Sequence, residues 1–265
     1  GDYGYSNISK MISTDRRIVI KQVYFNDMDQ QRLTRLCSEY VLLMRATNRY
    51  LNPPIGFIFN NPILFATDEI PNGNLNTAIK NDRLSPTDKT KIAMGVAYGM
   101  RRLHKMRIIH GDLKSKNVLL GDDNRPLITD FGIGSIAHKF NAPIQYRVTD
   151  PYWVAPEVLR GGPPTEKSDV YSYGALLAEL FNGSAPYKGV GCLVHVDDDL
   201  LPNNAPRMLQ AVVKLCTSHD ASKRPDFRSI YRLFKNCICY FEGTELECIK
   251  EEVKLIKEDR HKSHE

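Results

Sequence analysis

The sequence contains no apolar run of about 18 residues, which is the length that a membrane-spanning helix needs. It also lacks the succession of basic, apolar and small residues that marks a signal peptide. We therefore expect a cytoplasmic protein that has no membrane segment and carries no secretion signal of its own. The sequence begins with Gly1 rather than methionine, so we expect that further residues precede it.

Cysteine is sparse as well. The six cysteines are scattered, with no Cys-x-x-Cys pair and no cysteine and histidine spacing that suits zinc. These features predict free thiols in a reducing compartment rather than a disulfide framework or a zinc site. The net charge of +5 is mild and no lysine- or arginine-rich block occurs, so we expect no nucleic-acid partner.

The apolar residues first follow a pattern of strands with one helix. Strand-like segments occur at 17–21, 55–59 and 63–67, and an amphipathic helix is predicted over 27–47. Turn-forming residues at 71–74 then interrupt both patterns. We take this interruption as the boundary between two parts of the chain.

Beyond the boundary the pattern is mainly helical. Ser85 followed by Asp88 predicts a helix start, and apolar stripes predict helices near 171–181, 205–216 and 227–234. We therefore predict an α+β fold in three parts, namely a small β lobe of residues 1–70, a larger helical lobe of residues 71–240, and a charged helical tail of residues 241–265. One face of the tail helix is apolar, which favours packing on the body over binding of a partner: Ile249, Val253 and Ile256.

Two short motifs carry the chemistry. Residues 110–117 read His-Gly-Asp-Leu-Lys-Ser-Lys-Asn, and Asp-Phe-Gly follows at 130–132. Phosphoryl transfer requires a carboxylate at the attacking hydroxyl and metal ligands beside the phosphates. Asp112 is suited to the first task, and Asn117 and Asp130 are suited to the second.

The segments between the motifs predict how they are brought together. Apolar residues at 118–120 and 126–129 flank a turn at 121–124, a pattern typical of a β-hairpin. Such a hairpin would hold Asn117 and Asp130 close together. The alternative is a polar surface loop followed by an ordinary turn, but four matching positions in the loop arise by chance on the order of 10⁻⁵ per start site.

Together the motifs resemble the catalytic and metal-binding loops of the eukaryotic protein kinases. The resemblance covers about residues 1–236. It implies a two-lobed fold, with a small antiparallel β lobe that contains one helix and a larger, mainly α-helical lobe. It also implies transfer of the γ-phosphate of ATP, with Mg²⁺, to protein hydroxyls. Asp112 is then the base, Lys114 neutralises charge on the γ-phosphate, and Asn117 of the catalytic loop binds the metal together with Asp130.

The small lobe supplies residues that resemble the family's nucleotide contacts. Gly1 and Gly4 resemble the latter half of the glycine-rich loop, whose bare backbone can approach the ATP phosphates. Lys21 matches the strand lysine that reaches the α- and β-phosphates. Glu39, 18 residues further on, matches the helix carboxylate that pairs with this lysine. Ser6 stands where the family usually has a valine, which puts close packing on the adenine in doubt.

Residues 65–73 resemble the last strand of the small lobe and the hinge that follows it. In this register Thr67 is the gatekeeper, a small residue that leaves space behind the adenine. Backbone groups from Asp68 to Ile70 would hydrogen-bond the adenine edge. A plain strand followed by a turn is the alternative.

In the larger lobe the resemblance implies two structural contacts and a substrate class. Glu157 is expected to pair with Arg224, and Asp169 is expected to hold the backbone of the catalytic loop. Lys114 and Thr149 follow the serine/threonine pattern, whereas the sequence around Asp169 and Arg224 resembles the tyrosine-kinase-like branch. We therefore expect serine and threonine hydroxyls of proteins as the substrates.

Gly111 is the main departure from the family pattern. The family commonly has an arginine there, which receives a phosphate from the activation loop, so we expect no control by phosphorylation of that loop. A pseudokinase that binds nucleotide or acts as a scaffold is the alternative reading, favoured by Ser6, Gly111 and the absent first strand. Against it stand five residues that pseudokinases seldom keep together: Lys21, Glu39, Asp112, Asn117 and Asp130. A small-molecule kinase of related fold is a more distant third, and the sequence does not indicate an oligomeric state.

Overall fold

The computed structural model describes residues 6–10, 17–23, 30–58, 63–132, 151–185 and 200–262. Within these ranges the small lobe consists of β1 (Ser6–Lys10), β2 (Arg17–Val23), α1 (Gln30–Met44), β3 (Pro54–Ile58) and β4 (Ile63–Asp68). The strands form one sheet in the order β1-β2-β4-β3, in which every neighbouring pair is antiparallel. The predicted small antiparallel lobe with one helix is therefore confirmed.

An apolar stripe on α1 contacts the sheet. Leu36, Tyr40 and Leu43 are buried at the three- and four-residue spacing of a helix. The ring of Tyr40 stacks on Phe65 of β4, with the ring centroids 4.2 Å apart. Burial of each such side chain stabilises the fold by about 1.5–3 kcal/mol. The stripe thus sets the rotation of α1 about its own axis.

The larger lobe is mainly helical, as predicted. Its helices and strands are α2 (Leu75–Lys80), α3 (Pro86–Lys105), β5 (Val118–Leu120), β6 (Pro126–Ile128), α4 (Pro156–Leu159), α5 (Glu166–Asn182), α6 (Arg207–Cys216), α7 (Phe227–Lys235) and α8 (Leu246–Lys262). Short 3₁₀ helices occur at Ser115–Asn117, Asp122–Asn124, Pro151–Trp153 and Ala221–Lys223. Among the described residues, no helix is both long and apolar enough to cross a membrane.

The predicted helix start at Ser85 is confirmed. The Oγ of Ser85 accepts a 3.1 Å hydrogen bond from the N–H of Asp88, and the Asp88 carboxylate accepts one of 3.1 Å from the N–H of Ser85. Reciprocal capping of this kind stabilises a helix by about 1 kcal/mol. It begins α3, which ends at Lys105, shortly before the catalytic loop.

The central helix of the larger lobe is α5. Every residue from Ser168 to Leu180 is buried, although this stretch contains two carboxylates, Asp169 and Glu179. It packs against α3 and α6, and the apolar core continues through α7 and α8. A carboxylate in such a core needs hydrogen-bond donors, and the catalytic loop supplies them to both.

Candidate active site

The predicted β-hairpin is confirmed and connects the two motifs. β5 and β6 pair antiparallel, with Val118 opposite Ile128. The catalytic loop enters β5 through the 3₁₀ turn that ends at Asn117. The N–H of Thr129 donates to the carbonyl of Asn117 at 3.0 Å, which ties the residue before Asp130 to the catalytic loop. The two proposed metal ligands are therefore held by one backbone unit.

Asp112 is partly buried, and its carboxylate is held by neighbours in the same loop. Its Oδ2 accepts a 2.9 Å hydrogen bond from Nδ2 of Asn117 and lies 3.2 Å from Nζ of Lys114. The same Nδ2 donates to the Asp112 carbonyl at 2.8 Å, so the Oδ1 of Asn117 remains as its acceptor atom. Burial raises the pKa of Asp112 above its ordinary value, and Lys114 and His110 oppose part of this rise. A raised pKa suits a group that must accept a proton near neutral pH.

Asp130 has the geometry of a cation ligand. Its backbone is left-handed at φ 61°, a region that aspartate tolerates better than most residues. Its Oδ2 forms an ion pair with Nζ of Lys21. Its Oδ1 is buried and has no hydrogen-bond partner in the described part of the chain. An unsatisfied buried carboxylate oxygen is costly, and Mg²⁺ prefers oxygen ligands, so the side chain fits such an ion.

The two residues after Asp130 hold this segment in place. Phe131 is buried, and the N–H of Gly132 donates to the carbonyl of His110 at 3.2 Å. Gly132 has φ 79°, and a β-carbon there would be 2.7 Å from the side chain of Leu43 in α1. Glycine is therefore required both by the backbone conformation and by the close approach to α1.

Asp169 holds the catalytic loop, as predicted. Its Oδ2 accepts hydrogen bonds of 2.9 Å from the N–H of His110 and from Nε2 of His104, and its Oδ1 accepts one of 2.9 Å from the N–H of Gly111. The carboxylate itself is 1% exposed. Two peptide groups immediately before Asp112 are thus fixed by one buried side chain.

The predicted pair of Glu157 and Arg224 is also confirmed. It is bidentate, with N–O distances of 2.6 and 2.9 Å, and the fully buried guanidinium also donates to the carbonyls of Ser218 and Lys167. Burial alone would raise the pKa of Glu157, but the hydrogen bonds from Arg224, a backbone hydrogen bond and the positive charges of Arg224 and Arg160 hold it below its ordinary value. This pair fixes the end of the segment that begins at Asp130.

On the nucleotide side of the site, Lys21 forms an ion pair with Asp130. Pairing of Lys21 with Glu39 of α1 stays a prediction. Tyr40, the residue next to Glu39, is the α1 residue whose buried ring faces the same cavity as Lys21. The lining of this cavity consists of Lys21, Tyr40, Leu43, Pro54, Phe65, Thr67, Asp130 and Phe131.

The proposed gatekeeper and hinge residues lie at the end of β4. Thr67 is buried and lines the cavity. The carbonyl of Asp68 accepts a 3.2 Å hydrogen bond from Nδ2 of Asn52, and the carbonyl of Ile70 accepts one of 3.3 Å from the N–H of Gly73. Contact with adenine stays a prediction.

Three predicted positions lie outside the described residues: Gly1, Gly4 and Thr149. Two buried polar residues near the site were not predicted. The hydroxyl of Tyr40 has no hydrogen-bond partner in the described ranges, and burial, followed by the nearby Asp130 charge, raises its pKa. Glu179 accepts from Ser115 at 2.6 Å and from Asn76 and Trp153 at 3.1 Å each. A lone glutamate inside the apolar sequence of α5 was the available signal for the second.

A partly buried carboxylate that is the candidate base, two candidate metal ligands and a lysine paired with one of them lie around one hairpin, as expected for a protein kinase. The chain matches the family model "Protein tyrosine and serine/threonine kinase" over residues 3–234, and it belongs to this family. The predicted resemblance to the protein kinases is thereby confirmed.

Individual relatives are protein kinases by name. A probable serine/threonine-protein kinase of Dictyostelium discoideum is 30% identical over 88% of this chain and 26% of its own length. The serine/threonine/tyrosine-protein kinase HT1 of Arabidopsis thaliana is 28% identical over 95% of this chain and 66% of its own length. The mitogen-activated protein kinase kinase kinase 11 of Rattus norvegicus is 37% identical over 60% of this chain and 20% of its own length. The chain thus spans less than two thirds of the length of these relatives.

Proposed function

We propose that the chain is the catalytic domain of an ATP- and Mg²⁺-dependent protein serine/threonine kinase. The observation that carries the proposal is the placement of Asp112, a partly buried carboxylate held by Asn117 and Lys114. It lies in the loop that leads into the β5–β6 hairpin, and Asp130 follows the same hairpin. Phosphoryl transfer depends mainly on such positioning and on electrostatic stabilisation.

Each residue of the site has a defined task in this reaction. Asp112 accepts the proton of the substrate hydroxyl, and its raised pKa supports that task. Lys114, beside this carboxylate, offsets negative charge on the transferred phosphoryl group. Lys21 binds the α- and β-phosphates, while Asp130 Oδ1 and the Asn117 amide oxygen are the ligands offered to Mg²⁺. When bound, Mg²⁺ neutralises phosphate charge and orients the phosphates.

The remaining assignments extend the same proposal. Gly1, Gly4, Glu39, Thr67 and the backbone from Asp68 to Ile70 complete the nucleotide site. The lobe boundaries near residues 70 and 240 follow the sequence pattern. Protein serine and threonine hydroxyls are the substrates, which the name of the Dictyostelium relative supports. A cytoplasmic location and the lack of a nucleic-acid partner stay predictions.

One observation favours a second candidate, a pseudokinase that binds nucleotide without transferring phosphate. Lys21 contacts Asp130, which is also a proposed metal ligand, so the lysine and a metal ion would share one carboxylate. In an active kinase this ion pair must rearrange when MgATP binds. In a pseudokinase it would persist.

A phosphate-transfer assay separates the two candidates. The chain is incubated with γ-labelled ATP and a generic basic protein, beside Asp112→Asn and the exposed hairpin control Asp122→Asn. Because a positioned base contributes about 10² to 10⁴ in rate, we expect Asp112→Asn to lose that factor while it still binds nucleotide, and the control to keep full activity. The labelled residues should be phosphoserine and phosphothreonine. Equal activity of Asp112→Asn and wild type would refute the assignment of the base, and binding without transfer by wild type would establish the pseudokinase.

A further inference from the structure

The helix α8 follows the family match, which ends at residue 234, yet it is fixed on the kinase fold. The segment before it is hydrogen-bonded to the start of α3. The N–H of Phe241 donates to Oγ1 of Thr90 at 3.0 Å, and the N–H of Glu245 donates to Oγ1 of Thr87 at 2.9 Å. The apolar stripe of α8 is buried: Ile249, Val253 and Ile256. The position of α8 along α3 is therefore set at more than one point.

Polar residues of α8 contact the junction loop, which we define as residues 45–53 between α1 and β3. Oη of Tyr50 donates to Oε1 of Glu252 at 2.5 Å, and Nε of Arg49 donates to the same oxygen at 3.2 Å. The N–H of Arg49 donates to Oδ2 of Asp259 at 3.2 Å. Burial, followed by the Glu252 carboxylate, raises the pKa of Tyr50, so the phenol stays protonated and remains a donor.

The ring of Tyr50 is also enclosed by α3. A β-carbon at Gly95 would be 2.7 Å from this ring, and one at Gly99 would be 3.4 Å from its Cβ. Tyr98 meets the ring edge to face, with the centroids 5.7 Å apart. Glycine at two positions one helical turn apart thus makes the space that Tyr50 fills. The ring is fixed by α3, and its hydroxyl is fixed by Glu252.

The junction loop in turn holds both sides of the nucleotide site. The N–H of Ile128 donates to the carbonyl of Tyr50 at 2.9 Å, and the N–H of Asn52 donates to the carbonyl of Ile128 at 2.8 Å. Ile128 ends β6, two residues before Asp130. Nδ2 of Asn52 reaches the carbonyl of Asp68, in the proposed hinge. A displacement of this loop would move the proposed metal ligand and the hinge together.

We propose that α8 positions the nucleotide-binding residues through the junction loop, with Glu252 as the positioning residue. The expected change in KM for ATP rests on the proposed kinase function. The expected loosening of the junction loop does not. Without Glu252, Tyr50 and Arg49 lose a shared charged acceptor. The loop then keeps the hydrogen bond from the N–H of Arg49 to Asp259, so its attachment to α8 is weakened. Asp112 and the catalytic loop are held independently by Asp169. The effect should therefore fall on ATP binding rather than on turnover.

The test uses the full chain and three variants of α8. Glu252→Ala removes the acceptor, Glu252→Gln keeps an oxygen at the same place, and Glu251→Ala is the control at the exposed neighbouring position. We expect Glu252→Ala to raise the KM for ATP about fivefold or more with kcat within about twofold, as loss of uniform substrate binding predicts. Glu252→Gln should be intermediate, and Glu251→Ala should match wild type.

Hydrogen exchange provides a readout that needs no catalysis. In Glu252→Ala the amides of Asn52 and Ile128 should exchange about tenfold faster, while the amides of α5 stay unchanged. Tyr50→Phe, which removes only the hydroxyl, should show the same faster exchange at Asn52 and Ile128. It replaces Glu252→Ala in this test if that variant does not fold. Exchange rates and KM equal to those of Glu251→Ala, or a uniform acceleration across the domain, would overturn the inference. If wild type transfers no phosphate, the proposed function fails, and the exchange rates still decide the role of α8.

Discussion

Replacement of Asp169 tests how the structure supports the catalytic loop. In Asp169→Ala the N–H groups of His110 and Gly111 lose their acceptor in a buried environment. Each unsatisfied group costs about 1–3 kcal/mol, so we expect the free energy of unfolding to fall by about 3 kcal/mol or more. For a domain of this size, that corresponds to a decrease in Tm of about 6–12 °C. Asp169→Asn keeps one oxygen as an acceptor and should lose less stability than Asp169→Ala.

The same variant should lose turnover, because Asp112 follows directly after the two released peptide groups. A displacement of about 1 Å can reduce a rate by about 10²-fold, so we expect a 10- to 100-fold loss, measured at a temperature where the variant is fully folded. Glu166→Gln, at an exposed position in the first turn of the same helix, is the matched control and should change stability by about 0.5 kcal/mol or less. If Asp169→Ala equals this control in Tm and in turnover, the carboxylate does not support the loop and the reasoning is wrong.

Four further outcomes follow from the described contacts. Since the pKa of Glu157 is lowered, its ionised form stabilises the native state above the unfolded pKa of about 4.3 and ceases to do so as pH falls through the lower folded pKa. The difference in Tm between wild type and Glu157→Gln should therefore be largest near neutral pH and shrink below about pH 4, whereas a difference independent of pH would contradict the pairing with Arg224. Since burial raises the pKa of Asp112, the acid limb of kcat/KM should lie above the value of about 3.9 of an ordinary aspartate, with activity lost as pH falls through it. An acid limb at or below that value would argue against Asp112 as the base. Tyr40→Phe removes a buried hydroxyl that has no partner in the described ranges, so thermal unfolding should show a gain of about 1 kcal/mol, and a loss of that size would show that the hydroxyl is hydrogen-bonded. Because Gly111 offers no guanidinium to a phosphorylated activation loop, phosphatase treatment should leave specific activity within about twofold, and a tenfold loss, equivalent to about 1.4 kcal/mol, would show that another residue does this task.

Features that depend on neighbouring residues were predictable from the sequence. The β5–β6 hairpin follows from two apolar segments around a turn, and the start of α3 follows from Ser85 and Asp88. The hydrogen bond between Asn117 and Asp112 joins residues only five positions apart. The backbone between such residues leaves few alternatives, so the motif predicts the geometry. Asp169 is different, because it lies 59 residues from His110 and was assigned through the resemblance alone.

Long-range contacts show where local patterns stop being informative. Lys21 and Asp130 are 109 positions apart, and Tyr50 and Glu252 are 202 apart. The position of Glu39 relative to Lys21 depends on the rotation of α1, and Leu36, Tyr40 and Leu43 set that rotation by packing on the sheet. The helical period predicts that these three residues share a buried face, but it does not say which polar neighbour then faces the lysine.

The contact between Lys21 and Asp130 has a consequence for how the proposed reaction begins. A single carboxylate oxygen on Asp130 is engaged by Lys21, and the other has no partner in the described ranges. An incoming MgATP complex offers phosphate oxygens to Lys21 and a cation to Asp130. Lys21 and Asp130 would therefore each gain a new binding partner. The partly buried lysine then needs an anion from the protein or the nucleotide to offset its desolvation. Glu39 of α1 is the protein carboxylate that we predict for this role. MgATP should therefore protect Lys21 from amine-reactive labelling in wild type and protect it less in Glu39→Gln, whereas equal protection in both proteins would show that Glu39 does not take over as its partner.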